Sequence, residues 1–213
     1  MKTISESTMR RLPVYLRYLH QIRDTQENIS ASAIAAAFGL NDVQVRKDLG
    51  AVSGLGKPKT GYRVTELITQ LEDCLGYREQ TKAVLVGAGN LGKALLSYEG
   101  FSDYGLRIVA AFDTDTSLWG QPISGKPVMP PSELESVCFE NRIDLGIITA
   151  PAGVAQAICD RMIASGIRAI WNFAPTILRA PETVLVENEN LASSLAILSK
   201  HLHHGKEREE PTV

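Results

Sequence analysis

The sequence predicts an α/β protein in two parts: an N-terminal winged helix-turn-helix domain, then a Rossmann-like parallel-sheet domain with a C-terminal dimerisation helix. Three observations carry this. Short apolar runs alternate with helical patterns from Ala83 onward. The first of those runs, Ala83 to Val86, feeds directly into Gly87-Ala88-Gly89-Asn90-Leu91-Gly92, a G-x-G-x-x-G turn that opens a helical Ala/Leu pattern. Ahead of it lie short helix signals separated by glycine-containing turns. The expected boundaries are 1–80 for the winged-helix domain, 81–188 for the nucleotide domain, 189–204 for the final helix and 205–213 for a tail.

Composition narrows the function classes. The 213 residues have ordinary apolar and charged fractions for a globular protein, and no apolar run approaches the ~20 residues of a membrane span. The N-terminus lacks the apolar core of a signal peptide. Cys74, Cys138 and Cys159 are odd in number and far apart, the pattern of buried thiols in a reducing cytoplasm and not of a zinc site. A cytoplasmic location is therefore expected. The net charge of −2 conceals an asymmetry. Residues 1–63 carry ten Lys/Arg against five Asp/Glu, whereas the remainder carries twelve against nineteen. A basic segment ahead of an acidic body suits contact with a polyanion, with a solvated face as the alternative.

In the N-terminal part, Leu12, Tyr15, Leu16, Leu19 and Ile22 recur at helical spacing, predicting a helix over 10–23 with Pro13 near its first turn. Ser30 or Ser32 caps a short helix that ends at Gly39, and Asn41 caps a third from Asp42. In that third helix Val45, Leu49 and Val52 form the inward stripe. Val43, Gln44, Arg46 and Lys47 are left on a small, polar, cationic face that suits a major groove. Lys47 and Arg46 are candidates for phosphates or guanine edges, Gln44 for adenine and Val43 for a thymine methyl. A solvated helix face is the competing reading. Gly54 to Val64 reads as a wing with Lys57 and Lys59 near its tip, followed by a helix over 65–75 and a short polar linker over 77–82.

In the second part, Gly87 permits the tight strand exit, Gly89 admits a pyrophosphate to the backbone, and Gly92 lets the helix pack on the strand. Asp113 closes the next apolar run, near the position where an acidic residue takes a ribose hydroxyl. Asn90 and Leu91 complete the turn, and later strand ends bring Thr149, Ala150, Pro151 and Asn172 to the same crevice. Asp113 repels a 2′-phosphate, favouring NADH and NAD over their phosphorylated counterparts. Leu191, Leu195, Leu198 and Leu202 make a narrow seam after the sheet is complete, suited to its own domain or to a partner subunit. No histidine occurs between His20 and His201, so the nucleotide domain lacks the usual acid or base of a dehydrogenase. Sensing is expected in preference to catalysis. The alternatives are a small NAD-dependent oxidoreductase with an accessory N-terminal module and a coenzyme A-binding scaffold.

These residues resemble the redox-sensing transcriptional repressor Rex family. The resemblance runs from about Arg10 to Leu202, through Arg11-Leu12-Pro13-Val14-Tyr15-Leu16-Arg17, Val45-Arg46-Lys47-Asp48-Leu49, Gly61-Tyr62-Arg63-Val64, Gly87 to Gly92, Gly166 to Pro175 and Val186-Glu187-Asn188. It implies a homodimeric bacterial repressor that binds double-stranded operator DNA when NADH is low and releases it when NADH binds. It also implies a C-terminal helix exchanged between subunits. An interdomain switch is implied at Arg17, Tyr98 and an acidic position that here is Asn190, with Glu189 adjacent.

Overall fold

The computed structural model describes residues 4–54, 56–58 and 60–206, without the side chains of residues 191, 194 and 203–206. The chain divides into two compact units. One comprises Met1–Gln80 with Asp103–Gly105, the other Thr81–Ser102 with Leu106–Val213. Lys59 and most of the tail lie outside the described residues.

Four helices build the first unit: α1 (Glu6–Ile22), α2 (Ala31–Phe38), α3 (Asp42–Val52) and α4 (Val64–Leu75). Helix α1 begins earlier than the apolar spacing suggests, because Ser5 caps it by accepting from the Thr8 N–H. Pro13 therefore sits inside the helix, not in its first turn, and forfeits one ladder bond there. Ser30 caps α2 and Gly39 ends it at φ 62°, while Asn41 caps α3 by accepting from the Val43 and Gln44 N–H groups. Leu12, Tyr15, Leu19, Ile34, Val45, Leu49, Leu67 and Leu71 are buried where these helices meet. Each such aliphatic side chain contributes about 1.5–3 kcal/mol.

A small antiparallel sheet joins β1 (Asn28–Ile29) to β2 (Tyr62–Arg63), with Ile29 opposite Tyr62. β1 is too short to leave a period in the sequence. Gly61 has φ 75°, and a Cβ there would lie 2.3 Å from the Ile29 carbonyl oxygen, so the approach of the two strands requires glycine. Just before β2 the chain closes a tight turn, in which Lys57 and Gly61 exchange backbone hydrogen bonds of 2.8 and 2.9 Å. In the polar stretch after α4, Tyr77 packs edge-on against Tyr104 at 5.2 Å, and Thr81 and Lys82 already belong to the next strand.

The second unit is a seven-stranded sheet. Its strands are β3 (Thr81–Val86), β4 (Leu106–Phe112), β5 (Pro122–Ile123), β6 (Lys126–Met129), β7 (Leu145–Ile148), β8 (Ala169–Asn172) and β9 (Leu185–Asn188). Their spatial order is β5-β6-β4-β3-β7-β8-β9, parallel throughout except for the β5–β6 pair. Without β5 this is the 3-2-1-4-5-6 order of the doubly wound dinucleotide-binding fold. The β5–β6 hairpin turns on Ser124 and Gly125 at φ 48° and 77°, the two positive values that a two-residue hairpin loop demands. Strand β3 alternates its side chains between two cores. Ala83 and Leu85 face Leu96 of α5 (Asn90–Ser97), whereas Val84 and Val86 join a cluster with Val137 and Cys138 of α6 (Leu134–Asn141) and Cys159 and Met162 of α7 (Ala152–Ala164). The last helix, α8 (Leu191–Lys206), leaves Leu195, Leu198 and Leu202 more than 60% exposed. Among the described residues, no helix is long and apolar enough to cross a membrane.

One buried carboxylate fixes α3 to α1. Asp48 is 1% exposed and accepts from Thr8 Oγ1 (3.0 Å), Arg11 Nε (2.7 Å) and Nη2 (2.9 Å), Tyr15 Oη (3.0 Å) and Gln44 Nε2 (2.9 Å). Burial pushes its carboxyl upward, but the bonds from Arg11, Thr8, Gln44 and Tyr15 outweigh that and hold it below the usual value. Burial, reinforced by Asp48, pushes the Tyr15 hydroxyl up to about 12.

Removing Asp48 strands Arg11 and Tyr15 at the helix contact. Asp48→Ala is therefore expected to destabilise the N-terminal unit by about 2–4 kcal/mol in urea unfolding. Linkage sets the pH dependence. Because the folded pKa of Asp48 is depressed, its contribution is present above the ordinary carboxylate range and disappears as pH falls through the folded value. Because that of Tyr15 is raised, its contribution is present below about pH 10 and lost as pH rises through about 12. Denaturation midpoints across pH should drop at both ends in the wild type, and Tyr15→Phe should shrink the alkaline limb, leaving the part that the raised Tyr77 and Cys138 contribute.

Candidate nucleotide crevice and DNA-reading helix

The crevice forms at the switch point where the order of strands reverses between β3 and β7. β3 leaves the sheet at Gly87, which adopts φ 106°; a Cβ there would lie 2.8 Å from the carbonyl carbon of Thr149 and 2.9 Å from the Ala150 nitrogen. The chain then turns so tightly that a Cβ on Gly92 would fall 2.0 Å from the Gly87 carbonyl oxygen. Thr149 secures the same oxygen by donating its hydroxyl to it at 2.6 Å. By contrast, Gly89 precedes the first residue of α5, and a Cβ added to it meets nothing within 4 Å. Two glycines are thus required by the protein's own backbone. The third borders open space at a helix N-terminus, the geometry that admits a phosphate. Asn90 and Leu91 form the exposed first turn beside it, and Ala88 is buried below.

Asp113 closes β4 next to this turn. Its Oδ2 accepts from the Ala88 N–H at 2.6 Å and its Oδ1 from the Asp115 N–H at 2.9 Å, which holds the carboxylate against the glycine loop. The Trp119 indole N–H donates to the Asp113 carbonyl at 2.8 Å, a brace that no sequence period announces. Hydrogen bonds from the Ser117 hydroxyl and N–H hold Asp115 below the usual carboxylate range, adding a second anion beside the first. Two carboxylates at this strand end suit ribose hydroxyls and oppose a 2′-phosphate.

Gly87 to Gly92, Asp113 and the Thr149-Ala150-Pro151 turn therefore converge. Asn172 ends β8. It is fully buried, donates through Nδ2 to the Thr176 carbonyl and Asn188 Oδ1, and accepts from the Ala174 N–H. Its polar atoms shape the end of β8.

On α3, Val43 is 63% exposed and Gln44, Arg46 and Lys47 are also at the surface. Arg46 pairs with Asp42 at 3.1 Å across one helical turn, an exposed pair that a phosphate can replace at little cost. A cleft of about 420 Å³ brings Arg46 and Lys57 together with Ser30, Ser32 and Tyr62, joining α3 to the start of α2 and the turn before β2. The Gln44 amide NH₂ donates to Asp48 Oδ1 at 2.9 Å. Of the remaining positions, Arg17 is exposed on α1. Tyr98 is half exposed and packs edge-on against Phe101 at 4.9 Å; Phe101 in turn meets Trp171 at 5.8 Å. Asn190 accepts from the Ser193 N–H at 3.2 Å, capping the start of α8, which an amide does as well as a carboxylate. The neighbouring Glu189 accepts from the Trp171 indole N–H at 2.8 Å.

Known proteins agree with both halves. Residues 3–50 match the family model described as "Putative DNA-binding protein N-terminus", and residues 78–176 match the "CoA binding domain" model. The chain is 40% identical over 199 residues to the redox-sensing transcriptional repressor Rex of Streptomyces coelicolor, covering 93% of this chain and 77% of that protein. The Rex of Porphyromonas gingivalis is 41% identical, covering 92% and 90%. Among solved structures, RSP in complex with β-NAD⁺ and operator DNA superposes with a TM-score of 0.90 at 35% identity, covering 97% of this chain and 95% of that one. RSP bound to β-NADH gives 0.87 at 34% identity, covering 97% of both.

A helix-turn-helix unit followed by a doubly wound dinucleotide fold defines a nucleotide-responsive DNA-binding regulator. At these identities and coverages the family is settled: the chain belongs to the redox-sensing transcriptional repressor Rex family.

The close approach at the turn gives a direct check. Gly92→Ala places a methyl group into the Gly87 carbonyl, and is expected to cost about 2–3 kcal/mol of stability by urea unfolding of the full chain.

Proposed function

We infer that this chain is a redox-sensing repressor that binds operator DNA through α3 and releases it when NADH occupies the crevice. The observation that carries the reading is the open space over Gly89, at a helix start and beside Asp113, in a chain that also presents a cationic α3. The pyrophosphate would lie over Gly89 and the first turn of α5, and Asp113 would take the adenosine ribose. Thr149, Ala150 and Pro151 would form the opposite lip. Lys47, Arg46 and Lys57 would meet phosphates or base edges, and Val43 a thymine methyl.

Two protomers are proposed to pair through α8, whose leucines its own unit does not bury. Arg17, Tyr98 and Asn190 are proposed to carry the signal between units, with Asn190 as a neutral cap in place of an acid. The repressor acts in the cytoplasm, transforms no substrate and belongs to the regulators. The "CoA binding domain" match keeps coenzyme A as the competing ligand of the same crevice.

Gly89→Val fills only open space, so the melting temperature should hold while NADH binding is lost in calorimetry. Undiminished affinity removes the pyrophosphate from this position, and tighter binding of coenzyme A than of NADH overturns the ligand assignment. NADH should weaken operator binding in fluorescence anisotropy, whereas steady NADH oxidation would point to an oxidoreductase. Lys47→Ala should lower operator affinity and reduce the slope of log K against log salt by about one.

A further inference from the structure

The loop after β4 holds one large aromatic side chain in a fixed place. Asp113 Oδ1 accepts from the Asp115 N–H, Asp115 Oδ1 accepts from the Ser117 N–H and hydroxyl, and the Gly120 N–H donates to the Val128 carbonyl of β6 at 3.0 Å. Leu118 packs against the core that contains Ala111 and Val128. Trp119, the next residue, stays 39% exposed even though its indole N–H is bonded to the Asp113 carbonyl at 2.8 Å. That bond uses the only donor the ring has. Among the described residues no other aromatic ring packs on Trp119, whereas Trp171 meets Phe101 and Phe173 at 5.8 and 4.8 Å. An indole placed in this way has its π faces left to offer a ligand.

We propose that Trp119 is the base-stacking residue of the crevice and takes the adenine of the bound nucleotide. The inference rests on the nucleotide reading above, in which the Asp113 carboxylate takes the adenosine ribose. Asp113 divides its bonds: the side chain turns to the Ala88 N–H at the glycine loop, and the main-chain carbonyl holds the indole. A purine hangs from the sugar carbon next to the 2′-hydroxyl. A ribose held at Asp113 therefore brings its base among the residues bonded around Asp113, which are Ala88, Asp115, Met129 and Trp119. Trp119 is the aromatic one. Stacking on its face is indifferent to what lies beyond the pyrophosphate, since NADH, NAD and coenzyme A all carry adenine. Trp119 thus supplies affinity at one end of the ligand, and discrimination between oxidised and reduced forms falls to residues at the other.

The test titrates the full-length chain with NADH and with ADP-ribose, which keeps the adenosine diphosphate and lacks the nicotinamide, by calorimetry and tryptophan fluorescence. A wild type that binds neither overturns the nucleotide reading, and this inference with it. Where the wild type binds, Trp119→Leu should weaken both ligands about tenfold and by the same factor. Trp119→Phe keeps an aromatic face without the N–H and should retain most of the affinity. ADP-ribose should quench the emission of the wild type and leave that of Trp119→Phe unchanged. Equal losses in the Phe and Leu variants overturn the proposal, because the N–H brace on Asp113 then matters and the ring face does not. Loss of NADH binding without loss of ADP-ribose binding overturns it as well, since the indole then acts at the nicotinamide end. Unchanged affinity in Trp119→Leu has the same force. Thermal melting separates lost contacts from lost fold. Should Trp119→Leu unfold, the difference in quenching between wild type and Trp119→Phe decides alone.

Discussion

The contact between Gly92 and the Gly87 carbonyl is the constraint on which the nucleotide unit depends. It presses the start of α5 against the exit of β3, and Thr149 bonds the same oxygen from the neighbouring strand. Three elements are pinned at one atom, which leaves the N-terminus of α5 aimed into the switch-point crevice with no side chain between it and solvent at Gly89. Asp113 then ties the end of β4 to the Ala88 N–H. Pre-organisation of this kind lowers the cost of binding, since little backbone remains to be ordered when the ligand arrives.

The N-terminal unit solves a different problem by similar means. Helix α3 is short and only lightly apolar, with Val45 and Leu49 as its fully buried anchors. Such a helix can slide or roll on a greasy contact, because dispersion is not directional. The five hydrogen bonds on Asp48 supply direction, fixing both the rotation of α3 and its depth against α1. Polar burial is expensive when half satisfied, and here every donor finds its acceptor.

Much of this was legible in the residues themselves. The glycine spacing, the alternating strands and the caps at Ser30, Asn41 and Gly39 are local signals with local causes, and the elements stand within a few residues of where they point. What escaped was non-local. Asp48 looks like one more exposed charge in Arg46-Lys47-Asp48 until the fold brings Arg11 and Tyr15 to it across more than thirty residues. Asn172 reads as a crevice group because it ends a strand, but its bonds to Ala174, Thr176 and Asn188 leave no local signal in the sequence. β1 and β2 pair over two residues each, below the length at which any alternation registers. Pro13 misplaced the start of α1 because a proline is welcome in a first turn, and only the cap at Ser5 shows the helix already under way.

The bare leucines of α8 bear on genetics as much as on structure. If two copies pair through this seam as proposed, the cell assembles its regulator from whatever protomers it contains. A copy damaged in α3 but intact in α8 still finds a healthy mate and spoils it. In a cell carrying equal amounts of both, only about a quarter of randomly formed pairs keep two sound reading heads. Defects in the DNA-reading face are then dominant, whereas truncations that remove the final helix are recessive, because the damaged copy never meets the good one.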